Sequence, residues 1–168
     1  YAGALTALGQ ILINADLCLN PKFKAVVSTA ETLTDEQRSI IKHAFTAKPV
    51  NEYGARDGGI LAYECPEGGM HITAENCIIE ILDPQTLKPV KTGENGLIAV
   101  TDLNNLSAPR LRYLIGDMGA LSESACTCGR HLPLLKSISG REDALFKLPD
   151  GRLLFSVSKA RNPGSGRY

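Results

Sequence analysis

The sequence predicts an α/β fold in which a βα-layered sheet portion is followed by a small, bent, mostly antiparallel β subdomain. Three observations support this prediction: an amphipathic stripe near the start, a capped helix between two β-branched runs, and a change to short alternating runs after Gly58. The chain has 168 residues, 43% of them hydrophobic, which is enough to bury one real core.

The first region, residues 1–57, alternates helix and strand. Thr34 begins "TDEQRSIIKHAF" with Gln37 three positions later, which is a capping box. The runs "FKAVVSTAE" and "AKPVNEYG" on either side predict strands. Residues 1–14 predict an amphipathic helix, because apolar side chains recur there at spacings of three and four. These side chains are Leu5, Leu8, Ile11 and Leu12.

The sequence pattern of the second region, residues 58–139, predicts an antiparallel sheet. The short runs "GILAYEC", "NCIIEIL", "NGLIAVTDL" and "PRLRYLIG" each predict a strand. Segments rich in Gly, Pro, Asn and Asp separate them and predict the turns.

Charge and hydropathy exclude two classes of partner. With 18 Lys+Arg against 18 Asp+Glu, the net charge is zero, so we expect no nucleic acid and no anionic membrane as partner. The longest apolar runs fall far short of the roughly 20 residues that a membrane-spanning helix needs. No basic segment followed by an apolar segment opens the chain, so we expect a cytoplasmic protein.

The stretch "NEYGARDGG" (51–59) combines a ring, a cation and a carboxylate among glycines. Tyr53 ends a predicted strand, where a ring can stack on a flat base. Asp57 is suited to Mg²⁺, whose other ligands would be phosphate oxygens, and Arg56 is suited to a phosphate. The alternative is a glycine-rich turn with solvated side chains.

Two later stretches carry similar side chains. In "RYLIGDMG" (112–119), Asp117 lies at a Gly-flanked turn, where its carboxylate can accept hydrogen bonds from two neighbouring hydroxyls such as those of a ribose. In "SGREDALFKLPDGR" (139–152), charged side chains surround a predicted turn, a pattern that is by itself typical of a surface loop.

The order of these motifs resembles a known superfamily. Tyr53-Gly54-x-x-Asp57, Tyr113-x-x-Gly116-Asp117 and Gly140-Arg141-x-Asp143-x-x-x-Lys147 resemble three core motifs of the AMP-forming adenylate-forming enzymes. The segments "ECPEGGMHI", "VTDLNN", "RYLIGDMG" and "CTCGR" are most similar to the phenylacetate-CoA ligase-like group, which includes capsule-biosynthesis relatives. The resemblance extends from about Val26 to Phe155.

The resemblance implies a fragment of the large N-terminal domain of an ATP-dependent, AMP-forming carboxylate ligase. In such enzymes a carboxylate attacks the α-phosphate of ATP, with Mg²⁺ bound, to form an acyl-adenylate and pyrophosphate, and CoA or another acceptor then takes the acyl group. The acid is expected to be small and organic, with aromatic acids among the candidates. A homodimer is an open alternative to a monomer.

The resemblance also implies roles for individual residues. Asp57 supports Mg²⁺ and is assigned to catalysis; Arg56 is assigned to catalysis beside it on its own chemistry, as a partner for a phosphate. The nucleotide-binding residues are Tyr53 on the adenine, Gly54 in the same motif, Asp117 and Arg141 on the ribose, and Ala30 and Glu31 along the adenine pocket. Asp143 matches the hinge between the large and small domains.

The sequence departs from the superfamily pattern in two respects. Arg56 and Asp57 stand where Ser or Thr and then Glu are usual, and the shorter Asp side chain favours a metal held through water. The phosphate loop and the C-terminal domain with its catalytic lysine have no counterpart in the sequence. The resemblance therefore implies a central fragment, inactive alone, in which residues 140–168 hold the hinge motif and the start of a truncated C-terminal domain.

The five cysteines and the histidines allow a structural zinc site. Cys65 and His71 flank one predicted turn, and Cys126 and Cys128 flank another, so that three thiolates and one imidazole make a tetrahedral set. The alternatives are reduced, half-buried cysteines, or His131 in place of His71. The remaining cysteines, Cys18 and Cys77, are predicted to be packing residues.

Two further functions compete with the acid–CoA ligase. One is a zinc-stabilised binding or structural module without catalysis. The other keeps the family but transfers the acyl group during polysaccharide or cofactor assembly. The ligase and the module differ in one geometric respect: only the ligase needs Tyr53, Asp57, Asp117 and Arg141 to line one cleft.

Overall fold

The computed structural model describes residues 1–19, 23–141, 145–147 and 153–155. Two helices and eight strands form an α/β structure around one bent sheet, with strand order β1-β2-β3-β4-β8-β7-β6-β5, and two further strands form a hairpin. The helices are α1 (Ala2–Asn14) and α2 (Asp35–Phe45), and the strands are β1 (Val26–Thr29), β2 (Pro49–Ala55), β3 (Gly59–Glu64), β4 (Met70–Ile72), β5 (Cys77–Leu82), β6 (Gly96–Asp102), β7 (Tyr113–Leu121), β8 (Leu134–Arg141), β9 (Leu145–Lys147) and β10 (Leu153–Phe155).

The two predicted regions share this sheet. Strand β2 pairs in parallel with β1 and in antiparallel with β3, so it joins the βα portion to the antiparallel portion. The capping box is confirmed: the Thr34 hydroxyl accepts from the Gln37 N–H at 3.3 Å, and the Thr34 N–H donates to the Gln37 side chain at 3.0 Å. The predicted fold class is confirmed.

The buried face of α1 differs from the predicted stripe. Leu12 is buried, but Leu8 and Ile11 are 46% and 62% exposed, and Ala2 and Gly9 are buried instead. A Cβ at Gly9 would lie 3.2 Å from the Cβ of Ala44, so α1 and α2 approach closely through small residues. The prediction for Leu8 and Ile11 was wrong because the positions of large apolar side chains do not reveal a helix–helix contact made by glycine and alanine.

The core has two main parts. One lies between the helices and the first strands and includes Leu12, Val26 and Ile41. The other is built from residues of strands β2 to β8 and contains Tyr53, Leu61, Ala62, Ile72, Cys77, Ile79, Ile81, Ile98, Val100, Ile115 and Leu135.

An ion pair fixes α2 to the sheet. Arg38 donates to the Glu64 carboxylate at 2.9 Å, and the same carboxylate oxygen accepts from the Asn51 N–H at 2.7 Å. Glu64 is therefore held between a helix and the strand β2 that carries Tyr53. Within the described part of the chain, neither helix is long and apolar enough to cross a bilayer.

Candidate functional site

Tyr53 and Asp117 meet across the bend of the sheet. The Tyr53 hydroxyl donates a hydrogen bond to Asp117 Oδ2 at 2.8 Å. Their strands, β2 and β7, are four positions apart in the sheet, which would separate them by roughly 19 Å if the sheet were flat. The contact therefore depends on strong curvature of the sheet between the two strands.

Arg141 completes this cluster from the neighbouring strand. It is the register partner of Asp117, and its Nη1 lies 3.5 Å from Asp117 Oδ1 and donates to the Ile115 carbonyl at 3.0 Å. Gly116 has φ +80°, and a Cβ there would lie 3.0 Å from an Arg141 guanidinium nitrogen. The glycine beside Asp117 thus leaves room for the guanidinium.

Burial divides the cluster into a supporting end and an open end. Tyr53 is 9% exposed, whereas the Arg141 side chain is 60% exposed. Burial raises the pKa of Tyr53, and the neighbouring Asp117 raises it further, so the phenol keeps its proton and remains a donor. A carboxylate has about four acceptor positions, so Asp117 can accept from hydroxyls of a ligand as well.

Asp57 and Arg56 lie on the turn between β2 and β3, and both are exposed. Asp57 Oδ1 is 3.4 Å from a guanidinium nitrogen of Arg110, a residue that the sequence analysis did not single out. Arg110 lies in "PRLRYLIG", just before the Asp117 motif. This proximity to the motif is the sequence feature that could have identified Arg110 as a site residue. The structure joins Tyr53, Asp117 and Arg141 by direct contacts and pairs Asp57 with Arg110.

Gly54 allows β2 and β3 to approach closely beside Tyr53. The pairing register shifts between Tyr53 and Gly54, and a Cβ at Gly54 would lie 2.8 Å from the Gly59 carbonyl oxygen. No real Cβ contact is so short, and the opposing atom is backbone. Gly54 is therefore required by the strand pairing that orients Tyr53.

Gly54→Ala should lower the free energy of unfolding by about 1–3 kcal/mol, because the two strands must separate to admit the methyl group. Gly58→Ala is the matched control on the same turn, since the nearest atoms to a Cβ there are side-chain atoms of Leu61, Val100 and Ala55 at 3.3 Å, 3.6 Å and 3.7 Å. Urea unfolding of the two variants measures the difference. Equal losses would show that the Gly59 carbonyl is not the limiting contact.

Ala30 and Glu31 directly follow β1. Because β1 and β2 are parallel and Thr29 pairs with Glu52, these residues lie at the same sheet edge as Tyr53. Ala30 has φ +68°, a strained conformation for a residue with a side chain. Glu31 Oε2 accepts from the Gly3 N–H at 2.8 Å and so caps the start of α1. Sequence patterns do not reveal this long-range contact.

The predicted hinge residue Asp143 lies outside the described residues. Lys147 is the last residue of β9.

Cys65, His71, Cys126 and Cys128 converge as the sequence predicts. Their ligand atoms all lie within 4.8 Å of one another. Cys65 Sγ is 3.6 Å from Cys126 Sγ, and Cys128 Sγ is 3.2 Å from His71 Nε2. A tetrahedral zinc with Zn–S bonds of about 2.3 Å would separate two sulfur ligands by about 3.8 Å. The spacing therefore fits one tetrahedral ion.

The surroundings of the cluster also suit a metal. Hydrogen bonding from the Arg130 backbone N–H lowers the pKa of the Cys128 thiol to about 6, so the thiolate, which is the form that binds metal, is available at neutral pH. The Gly69 N–H donates to Cys65 Sγ at 3.3 Å. Cys65, His71 and Arg130 border a cavity of about 260 Å³.

Cys77, Cys18 and His131 lie outside the cluster and differ in burial. Cys77 is 2% exposed and packs in the core, as predicted. Cys18 is exposed, so its prediction as a packing residue was wrong. It lies in the connection between α1 and β1, outside both elements. His131 is exposed, and His71 is the histidine in the cluster.

Comparisons with known proteins agree with this geometry. The family described as "Acyl-protein synthetase, LuxE" matches residues 50–145. The chain is 35% identical over 121 residues to a phenylacetate-coenzyme A ligase of Thermus thermophilus, covering 70% of this chain and 27% of the ligase. It is 28% identical over 117 residues to the protein CapK of Staphylococcus aureus, covering 70% of this chain and 24% of CapK. The chain thus spans about a quarter of the length of these relatives.

Among solved structures, a 2-hydroxyisobutyryl-CoA ligase in complex with 2-HIB-AMP and CoA superimposes with a TM-score of 0.76 at 22% identity. The match covers 92% of this chain and 38% of that ligase. This likeness shows the fold that an adenylate-forming enzyme uses. With the family match and the named relatives, it leads to one assignment: the chain belongs to the acyl-protein synthetase LuxE family, in the phenylacetate-CoA ligase-like group of the AMP-forming adenylate-forming enzymes.

Proposed function

We propose that the chain is part of an ATP-dependent, AMP-forming carboxylate ligase and contributes its adenosine-binding surface. The contact between Tyr53, Asp117 and Arg141 carries this proposal. Tyr53 and Arg141, which come from two other motifs, converge there on the carboxylate of Asp117, which retains acceptor capacity. A ribose offers the complementary pair of hydroxyl donors.

Each member of the cluster has a distinct role in the proposal. Asp117 accepts hydrogen bonds from the ribose hydroxyls. Tyr53, whose ring is mostly buried, holds the Asp117 carboxylate through its hydroxyl and leaves only a small part of the ring for contact with adenine. Arg141 balances the partly buried charge of Asp117 and presents its exposed guanidinium to the ligand. Ala30 and Glu31 lie along the same edge, beside the adenine.

Asp57 is proposed to support Mg²⁺ together with phosphate oxygens, and Arg56 to contact a phosphate. The Asp57–Arg110 ion pair is half exposed, and such pairs contribute at most about 1 kcal/mol. A divalent cation bound to phosphates can therefore displace Arg110 from the carboxylate. Bound Mg²⁺ would supply positive charge that stabilises a pentavalent α-phosphate.

A zinc ion in the Cys65, His71, Cys126 and Cys128 cluster is proposed to be structural. Four protein ligands fill a tetrahedral site and leave no open position for catalysis. The ion would then stabilise the two turns that carry the cysteines, without taking part in acyl transfer.

The acyl substrate is proposed to be a small organic acid, which includes aromatic acids because phenylacetate-coenzyme A ligases are among the relatives. Two acceptors are consistent with the relatives. CoA follows from their printed names, and a protein acceptor follows from the description of the family as acyl-protein synthetases.

Nucleotide binding tests the proposal on this chain. Titration calorimetry with AMP should show saturable binding to the wild-type chain, and Arg141→Ala should weaken it. Within a polypeptide of the relatives' length that contains this sequence, exchange of labelled pyrophosphate into ATP should depend on an added acid. Acid-independent exchange, or none, together with no AMP binding, would contradict the ligase.

The second candidate is a zinc-stabilised module without catalysis, and the Cys₃His cluster is the observation that favours it. The two candidates predict different titrations. The module would bind zinc and show no saturable binding of AMP, whereas the ligase fragment would bind both.

A further inference from the structure

The eight-stranded sheet has a narrow junction between β4 and β8. These strands share only two residue pairs, Met70 with Leu135 and His71 with Leu134. The pairings on either side of it are longer, with three residue pairs between β3 and β4 and five between β7 and β8. The junction therefore joins two halves of the sheet, β1–β4 and β5–β8, through few backbone contacts.

The Cys₃His cluster spans this junction. Cys65 and His71 belong to the first half, and Cys126 and Cys128 lie in the connection between β7 and β8 of the second half. His71 is itself one of the paired residues at the junction. An ion bound by all four would link the halves where their strand pairing is shortest.

The cluster of Tyr53, Asp117 and Arg141, to which we assign adenosine binding, spans the same junction. Tyr53 belongs to the first half, and Asp117 and Arg141 belong to the second. The register Tyr53↔Ala62↔Ile72 runs across three strands to the residue next to His71. On the other side, β8 runs from Leu134 to Arg141, a distance of roughly 23 Å. The Tyr53–Asp117 contact therefore depends on how β4 and β8 are aligned.

The apolar core alone does not set this alignment. Ile72 and Leu135 pack in one cluster from both sides of the junction, but apolar packing is non-directional and tolerates small shifts more readily than ligand geometry does. Metal–ligand bonds have defined lengths and angles. An ion in the cluster would select one alignment of the two halves.

We propose that metal bound by Cys65, His71, Cys126 and Cys128 fixes the β4–β8 junction and thereby positions Tyr53 against Asp117, so that metal and nucleotide bind cooperatively. This inference rests on the proposed adenosine-binding role. Linkage requires reciprocity: the factor by which zinc raises the affinity for AMP equals the factor by which AMP raises the affinity for zinc. We expect a factor of roughly 10, within the range of known couplings.

Two titrations test the coupling. Calorimetry gives the AMP dissociation constant for zinc-loaded and chelator-treated chain, and a competing zinc indicator gives the zinc dissociation constant with and without AMP. Cys128→Ser should behave like the chelator-treated chain. Cys18→Ser is the matched control, because Cys18 is exposed and outside the cluster, and it should behave like wild type.

A third measurement does not need AMP. In a chain with isotope-labelled tyrosines, the ring signals of Tyr53, assigned with Tyr53→Phe, report the contact with Asp117. Zinc removal should shift them while circular dichroism keeps its folded shape. Unchanged Tyr53 signals would overturn the inference, because zinc would then not position this residue. A chain that unfolds entirely without zinc would also overturn it, because the ion would then stabilise the whole chain and not the β4–β8 junction in particular.

The outcomes separate the inference from the proposed function. No AMP binding to the zinc-loaded chain would count against the adenosine site, while the Tyr53 signals would still decide whether the metal positions that residue. AMP binding of equal strength with and without zinc would support the proposed function and overturn the inference.

Discussion

Asp117→Asn is expected to weaken AMP binding by roughly 10- to 100-fold. The substitution keeps the size of the side chain but removes its charge and one of its acceptor oxygens. Hydrogen bonds to charged groups contribute about 1.5–3 kcal/mol, and about 1.4 kcal/mol corresponds to a tenfold change in affinity. Titration calorimetry on the wild-type and variant chains measures the loss.

Asp16→Asn is the control for Asp117→Asn. Asp16 is exposed and has φ +52°, a conformation that asparagine adopts readily. It should leave AMP affinity unchanged. If Asp117→Asn bound AMP as tightly as this control, the ribose role of Asp117 would be wrong.

Cys65→Ser is expected to abolish tight zinc binding and to lower the free energy of unfolding by about 3–5 kcal/mol. The loss of a structural metal belongs to the few mechanisms that destabilise a domain to this extent, because the free energy of metal binding becomes free energy of folding. Cys65 is buried and lies 3.6 Å from Cys126 Sγ, so serine would leave an incomplete ligand set in place of the thiolate.

The measurement for Cys65→Ser combines metal analysis of the purified chain with urea unfolding. Cys18→Ser should retain both the zinc content and the stability of wild type, since Cys18 is exposed and apart from the cluster. A wild-type chain that contains no zinc after preparation without chelator would contradict the metal site, whatever the stability of the variant.

Local rules predicted the elements whose causes lie within a few residues. The capping box of Thr34 and Gln37 depends on neighbours in one helical turn, and the structure shows both of its hydrogen bonds. Cys65 and His71 flank one hairpin, and Cys126 and Cys128 flank one loop, so the sequence predicted one set of four from two short spacings. The structure brings the two pairs together through the β4–β8 pairing.

Long-range contacts were not accessible in the same way. Asp57 and Arg110 are separated by 53 positions in the sequence. Glu31 and Gly3, the residue at the start of α1 that it caps, are separated by 28. No periodicity encodes such contacts. The burial of Gly9 in place of Leu8 and Ile11 was missed for a related reason, because the partner surface of α2 decides which face of α1 is covered.

By itself, the amino-acid sequence determined the fold class, the order of the motifs and the family resemblance, because these depend on local propensity and on residue types at short spacing. Only the tertiary structure decided that Tyr53 meets Asp117 and that Arg110 meets Asp57. The physical reason is the curvature of the sheet, which arises from the pairing of many strands and brings together side chains that a flat sheet would hold far apart.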